Sequence, residues 1–252
     1  MATHMLNLKA HQKLALLVLC SMVFISACAS RPAIDGDTLS ERQVSSALVQ
    51  QHQASLTQVQ GFSIQGSVAF FNDIDNSRDA ARFNWQRAEE LLNFRLYHQL
   101  GGTLARIEQE VIEPTTGNAV TVSTFINRDG DRFESTDLNW LLYQHTGMAI
   151  PFTLLNQAIT GVQPNLPVRQ QRWYPNGTIA MYNADLSQWH LAGFTSQVHF
   201  GSELWQLQFG DYRLVTAGDG NLLLPHRIEA TRDEFRVNIR INRWRPELKE
   251  AN

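Results

Sequence analysis

From Phe62 onward the chain alternates apolar and polar residues with a period of two, and that pattern restricts it to β-sheet. Phe62, Ile64, Val68 and Phe70 alternate with Ser63, Gln65, Ser67 and Ala69. Ala81, Phe83 and Trp85 alternate with Arg82, Asn84 and Gln86, and Leu92, Phe94 and Leu96 with Asn93, Arg95 and Tyr97. The pattern runs on through 103–112 and 119–126, and returns at 178–183, 188–200, 204–210, 223–231 and 234–244. Turn-like clusters at 72–77, 114–117 and 127–130 separate the early runs. Successive side chains of a strand point to opposite faces, so each run has one dry face and one wet face, as antiparallel strands joined by short turns do. An apolar face of this extent must be covered or curled onto itself. The fold class predicted is mainly β with a few helices, built on about ten or eleven strands.

Helical spacing occupies the gaps. Val44, Ala47, Leu48, Leu56 and Val59 predict a surface helix between Ser40 and Val59, with Ser40 as a possible cap. Asp137 caps a second helix that Gly147 stops, and Pro151 opens a third running to Gly161. Residues 162–175, with Pro164, Pro167 and Pro175, read as a long loop.

The N-terminus is of another kind. Lys9, His11 and Lys13 form a basic stretch before a run of 12 residues, Leu14 to Ile25, that is mostly apolar. A bilayer core takes about 20 residues to span, so this run fits the apolar region of a signal peptide. It ends in Ile25-Ser26-Ala27-Cys28, which resembles the lipobox of bacterial lipoproteins; the alternative is an ordinary signal peptide with an incidental Cys. That resemblance implies cleavage before Cys28 and lipidation of its thiol and new amine. Several acyl chains anchor durably where one holds only marginally, at about 0.8 kcal/mol per buried CH₂. Ala29 follows the Cys; Asp there marks inner-membrane retention in such lipoproteins, so the resemblance implies the outer membrane. Cys20 falls in the leader, and the mature chain keeps no pair for a disulfide. The organisation expected is 1–27 signal peptide, 28–40 lipidated tether, 41–246 a single β-rich domain and 247–252 a tail.

Chemistry is sparse. The formal charge is -3 and the Arg residues are scattered, which gives no nucleic-acid surface. The eight His are isolated, and no HExxH, GxSxG, GxGxxG or P-loop occurs. No metal, cofactor or catalytic residue is assigned, although a Ser–His pairing distant in sequence stays open. The remaining feature is the set of large apolar residues on one sheet face: Phe62, Ile64, Phe70, Phe83, Trp85, Phe94, Leu96, Trp205, Leu207, Phe209, Ile239 and Ile241. They form either a solid core or the wall of a lipid cavity. At a turn, Gln99-Leu100-Gly101-Gly102-Thr103 puts Leu100 beside two glycines. Leu100 either folds back onto the core or stands out as an apolar finger toward lipid.

These stretches together resemble LolB, the outer-membrane lipoprotein receptor family, from about Gln51 to Pro246. Gly66-Ser67-Val68-Ala69-Phe70 is similar to its first strand and Ala81-Arg82-Phe83-Asn84-Trp85-Gln86 to its second. Thr146-Gly147-Met148-Ala149-Ile150-Pro151, Gly161-Val162-Gln163-Pro164, Leu224-Pro225 and Asn242-Arg243-Trp244 match further segments, with Ala149 in place of a Pro. Leu100-Gly101 stands at the family's Pro-Leu-Gly loop, with Gln99 in place of the Pro. The resemblance implies an incomplete β-barrel, a helical lid and a hydrophobic cavity. It implies a monomer that accepts lipoprotein acyl chains from the periplasmic carrier LolA and releases them into the outer-membrane bilayer. Phe83, Trp85, Phe94 and Leu96 would line the cavity, and Leu100 and Gly101 would form the membrane-delivery loop. The competing readings are a β-rich assembly lipoprotein with a filled core and a lipid-dependent enzyme.

Overall fold

The computed structural model describes residues 37–88, 91–112, 119–147, 150–165, 167–186 and 204–249. Cys28 and the strand expected at 188–200 lie outside the described residues. In chain order the elements are β1 (Leu39–Ser40), α1 (Ser46–Leu56), β2 (Val59–Asn72), β3 (Ser77–Ala88), β4 (Leu91–Tyr97), β5 (Thr103–Ile112), β6 (Val120–Ile126) and β7 (Arg132–Ser135). There follow α2 (Leu138–Thr146), α3 (Phe152–Ala158), β8 (Val168–Trp173), β9 (Ile179–Asp185), β10 (Leu204–Ala217), β11 (Gly220–Arg232) and β12 (Phe235–Leu248). The strands form one 12-stranded sheet in the order β1-β8-β9-β10-β11-β12-β2-β3-β4-β5-β6-β7. Its neighbours are antiparallel, and its ends, β1 and β7, do not meet. It is an incomplete barrel, as the family resemblance implies.

The sequence pattern misses three of these strands. β8 lies inside the expected 162–175 loop, and β7 and the two-residue β1 were not anticipated. β8 is irregular: Gln170 has φ 53 and the pairing with β9 slips between Arg169 and Arg172. A bulge of this kind breaks the period of two. β1 takes up Leu39 and Ser40, the end of the expected tether, and β12 continues past Pro246 to Leu248. Ser40 caps no helix. It ends β1, and α1 begins only at Ser46, with Ser45 at its N-cap.

α2 starts and stops where its cap chemistry directs. The Trp140 N–H donates to the Asp137 carboxylate at 3.0 Å, and Gly147 closes α2 in the left-handed region at φ 67. Asn139 Oδ1 accepts from both the N–H and the hydroxyl of Thr153 at 3.3 Å, tying α2 to α3. Arg87 reaches from β3 to donate to the Asn156 carbonyl at 2.9 Å, and Gln53 of α1 bonds the Gly161 carbonyl and the Gln163 N–H at 3.1 and 2.9 Å. The segment carrying α3 is thus pinned to the sheet and to α1.

The inner face divides into two regions. Around β8–β11, Trp173, Ile179, Tyr182, Trp205, Leu207, Phe209 and Leu224 are packed solid with Leu154 and Ile159. Tyr212 donates to the Ile179 carbonyl at 2.8 Å and Trp244 to the Pro225 carbonyl at 3.0 Å, so these two polar tips find partners. The other region, from β12 through β2 to β7, is occupied differently. Gly66 sits at the junction. A Cβ there would come within 2.0 Å of the Arg240 carbonyl oxygen and 2.8 Å of the Phe83 ring. Its partner strand bulges between Ile241 and Arg243. The missing side chain lets β12 close on β2 and leaves the Phe83 ring its place. Gly66→Ala is expected to destabilise the fold by about 1–3 kcal/mol, the usual cost of overpacking, read as a lower urea midpoint with unchanged slope.

Candidate functional site

Between the second region of the sheet and the helices is an apolar cavity of about 600 Å³. That lies in the usual range of about 300–1,000 Å³ for a site holding one small molecule. The sheet supplies the wall because inward positions recur at every second residue. Phe83 pairs with Leu96 and Trp85 with Phe94 across β3 and β4, and Phe94 pairs onward with Ile107 of β5. These side chains all face the cavity. Phe83, Trp85 and Phe94, read from the sequence as wall residues, are buried, and Leu96 is half-buried. The same reading missed Phe125, Phe133 and His145. The parity of the 119–126 run already points Phe125 inward; Phe133 lies on the unforeseen β7.

The aromatic rings are arranged as a connected set. Phe83 stacks on Phe94 at 5.8 Å, and Trp85 meets Phe94 edge-on at 5.3 Å. Phe152, the first residue of α3, stacks on Trp85 at 4.7 Å and meets Phe94 edge-on at 5.1 Å. Such offset and T-shaped pairs exploit the ring quadrupole. At the end of α2, His145 lies 3.8 Å from Phe133 and 5.3 Å from Phe125. Leu142, Thr146, Ile150 and Leu155 complete the helical side, so α2 and α3 roof the cavity. Its polar edge carries Asp79, His98, Asn127, Arg128 and Asp129. Among the described residues no three His, Cys, Asp or Glu cluster in a way that could hold a metal. The arrangement can take up an apolar chain by burial.

Half of the apolar face singled out in the sequence is not cavity. Phe70, Phe83, Trp85, Phe94, Leu96 and Ile239 line it. Phe62, Ile64, Trp205, Leu207, Phe209 and Ile241 are packed into the core. Phe62 marks the transition, edge-on to Trp85 at 5.9 Å and to Trp244 at 5.7 Å, with the Arg87 guanidinium 4.7 Å over its face. Burial lowers the pKa of that guanidinium from its ordinary value.

Leu100 lies apart from all of this, at the tip of the β4–β5 hairpin and 93% exposed. It does not fold back. Gly101 and Gly102, at φ 102 and 87, turn the chain around it.

The profile of the family described as "Outer membrane lipoprotein LolB" matches residues 60–244, nearly three-quarters of the chain. The chain belongs to the outer membrane lipoprotein LolB family. Cys28 lies ahead of the matched residues. The outer-membrane lipoprotein LolB of Erwinia tasmaniensis is 26% identical over 197 residues, 77% of this chain and 79% of that one. LolB of Pectobacterium atrosepticum is 24% identical over 232 residues, 92% of this chain and 95% of its own. LolB of Vibrio cholerae is 22% identical over 226 residues, covering 90% and 93%. A crystal structure of a LolA superfamily protein from Nitrosomonas europaea aligns with a TM-score of 0.38 and 9% identity over 83% of this chain and 95% of that one; nothing is drawn from a likeness so low. The roofed cavity is therefore a feature of a LolB-family chain, and its integrity depends on α3. Phe152→Ala should cost about 3–5 kcal/mol of stability, as loss of a buried aromatic does, measured by denaturant unfolding. An unchanged midpoint would show that Phe152 does not hold the roof.

Proposed function

We propose that this chain is an outer-membrane receptor that accepts lipoproteins from the periplasmic carrier LolA and releases them into the bilayer. The observation that carries the reading is the cavity: about 600 Å³ of unfilled space, walled by aromatic and aliphatic side chains and roofed by two helices. A scaffold with a filled core would have no such space, and among the described residues the cavity wall is mainly apolar, with its charged groups at one edge. Membership of the LolB family supports the same function.

The mechanism rests on differential affinity. Acyl chains exposed to water are unfavourable by about 0.8 kcal/mol per CH₂, so every step must keep them covered. The sequence carries no P-loop, and transfer runs downhill from carrier to receptor to bilayer. A ligand shifts such an equilibrium only through its different affinities for the two states. Phe83, Trp85, Phe94 and Leu96 bind the chains, and α2 and α3 act as a lid that moves aside for cargo. Cys28 carries the lipid that keeps the receptor on the periplasmic side of the membrane. Leu100, exposed at the hairpin tip, engages the bilayer at release, and Gly101 gives its loop the required turn. The receptor acts as a monomer.

Two substitutions test the two ends of this path. Ala105 lines the cavity and is 6% exposed. Ala105→Phe should intrude on the space, weaken saturable uptake of a fluorescent fatty acid, and leave the chain folded. Uptake equal to that of the unsubstituted chain would remove the cavity from the mechanism. Leu100→Glu should leave the fold and the acceptance of cargo from the carrier intact while delivery to liposomes stops. Delivery at the normal rate would take Leu100 out of it.

A further inference from the structure

The β4–β5 loop is held from a single residue. The His98 N–H donates to the Gly102 carbonyl at 3.0 Å, and the Gly101 N–H donates to the His98 carbonyl at 3.0 Å. The Leu100 N–H donates to Nδ1 of the His98 ring at 3.2 Å. Little else restrains the tip. A Cβ added at Gly101 or Gly102 would meet nothing within 4 Å, and Leu100 is 93% exposed. Two adjacent glycines lose more freedom on ordering than any other pair. Gln99 between His98 and Leu100 imposes no φ, whereas a proline there would fix it.

Two of the three bonds are backbone to backbone and available to any residue at position 98. The third belongs to the side chain. It bends the chain as an Asx turn does, in which a side-chain acceptor captures the N–H two residues on. Nδ1 accepts only when the ring is neutral with its proton on Nε2. His98 also lines the polar edge of the cavity, so it belongs to both the cavity rim and the loop that carries Leu100.

We infer that His98 is the positioning residue of the membrane tip, its ring holding the Leu100 backbone so that the leucine side chain projects from the rim and cannot collapse onto the cavity mouth. This rests on the reading of Leu100 as the bilayer contact. The ring replaces by hydrogen bonding the stiffness that a proline would supply covalently.

The test uses the full chain, a lipoprotein loaded on the carrier, and liposomes of phosphatidylethanolamine and phosphatidylglycerol, with three variants: His98→Phe, His98→Asn and Leu100→Glu. A single hydrogen bond contributes up to a factor of about ten. His98→Phe should therefore slow delivery from receptor already loaded with cargo, and speed exchange of the Leu100 amide proton, by up to about tenfold. His98→Asn, whose Oδ1 can accept the same N–H, should restore both. Normal delivery by His98→Phe beside a failing Leu100→Glu would overturn this role alone, as would failure of Asn to rescue. Loss of acceptance from the carrier in His98→Phe would move the residue's role to the cavity mouth and overturn it too. Normal delivery by Leu100→Glu would bring down the membrane reading and this role with it.

Discussion

The contact on which the rest of this structure depends is Phe152 against Trp85 and Phe94, where the first turn of a helix meets the inner face of the sheet. A 12-stranded sheet with one apolar face cannot stand open in water. It curls, and two short helices enter the curve. Phe152 sets how far they enter. Farther along, Leu154 of the same helix and Ile159 just past its end are buried in the core, whereas Leu155 faces the cavity. The roof is therefore held at one side by full packing and at the other by a few rings, and space remains beneath it.

How much of this the sequence discloses depends on how local the cause is. Strand parity is local, so the inward set from Phe62 to Ile241 is legible, and so is the Asp137 cap. β8 is hidden because its bulge disturbs the period and its polar Arg169, Gln170, Gln171 and Arg172 look like a loop. β7 is hidden because four residues are too few to show a period. The cavity itself has no local signature. Phe62 and Phe83 have the same parity and the same chemistry, yet one is sealed against Trp244 and the other faces open space. The difference comes from what packs against each ring, a long-range outcome that alternation cannot encode. Only the resemblance to a family supplied that expectation.

The tip around Leu100 is an intermediate case. The glycines announce a turn, but whether the leucine beside them folds back or stands out is open in the sequence. What holds the turn was not visible. His98 reads as one isolated histidine among eight, and only the geometry brings its ring to the leucine backbone. A residue that acts by a bond to a neighbour's main chain leaves no chemical motif in the sequence.

Ala105 and Ala81 stand on the cavity wall beside much larger residues. In an ordinary domain, replacing such a small side chain by a larger one that fits the adjoining void would raise stability. On the proposed function the same change would occupy the place of the passenger. Drift toward a better-packed interior would then be a drift toward a more durable but idle protein, and smallness at these two positions would serve what is carried rather than what holds the fold together.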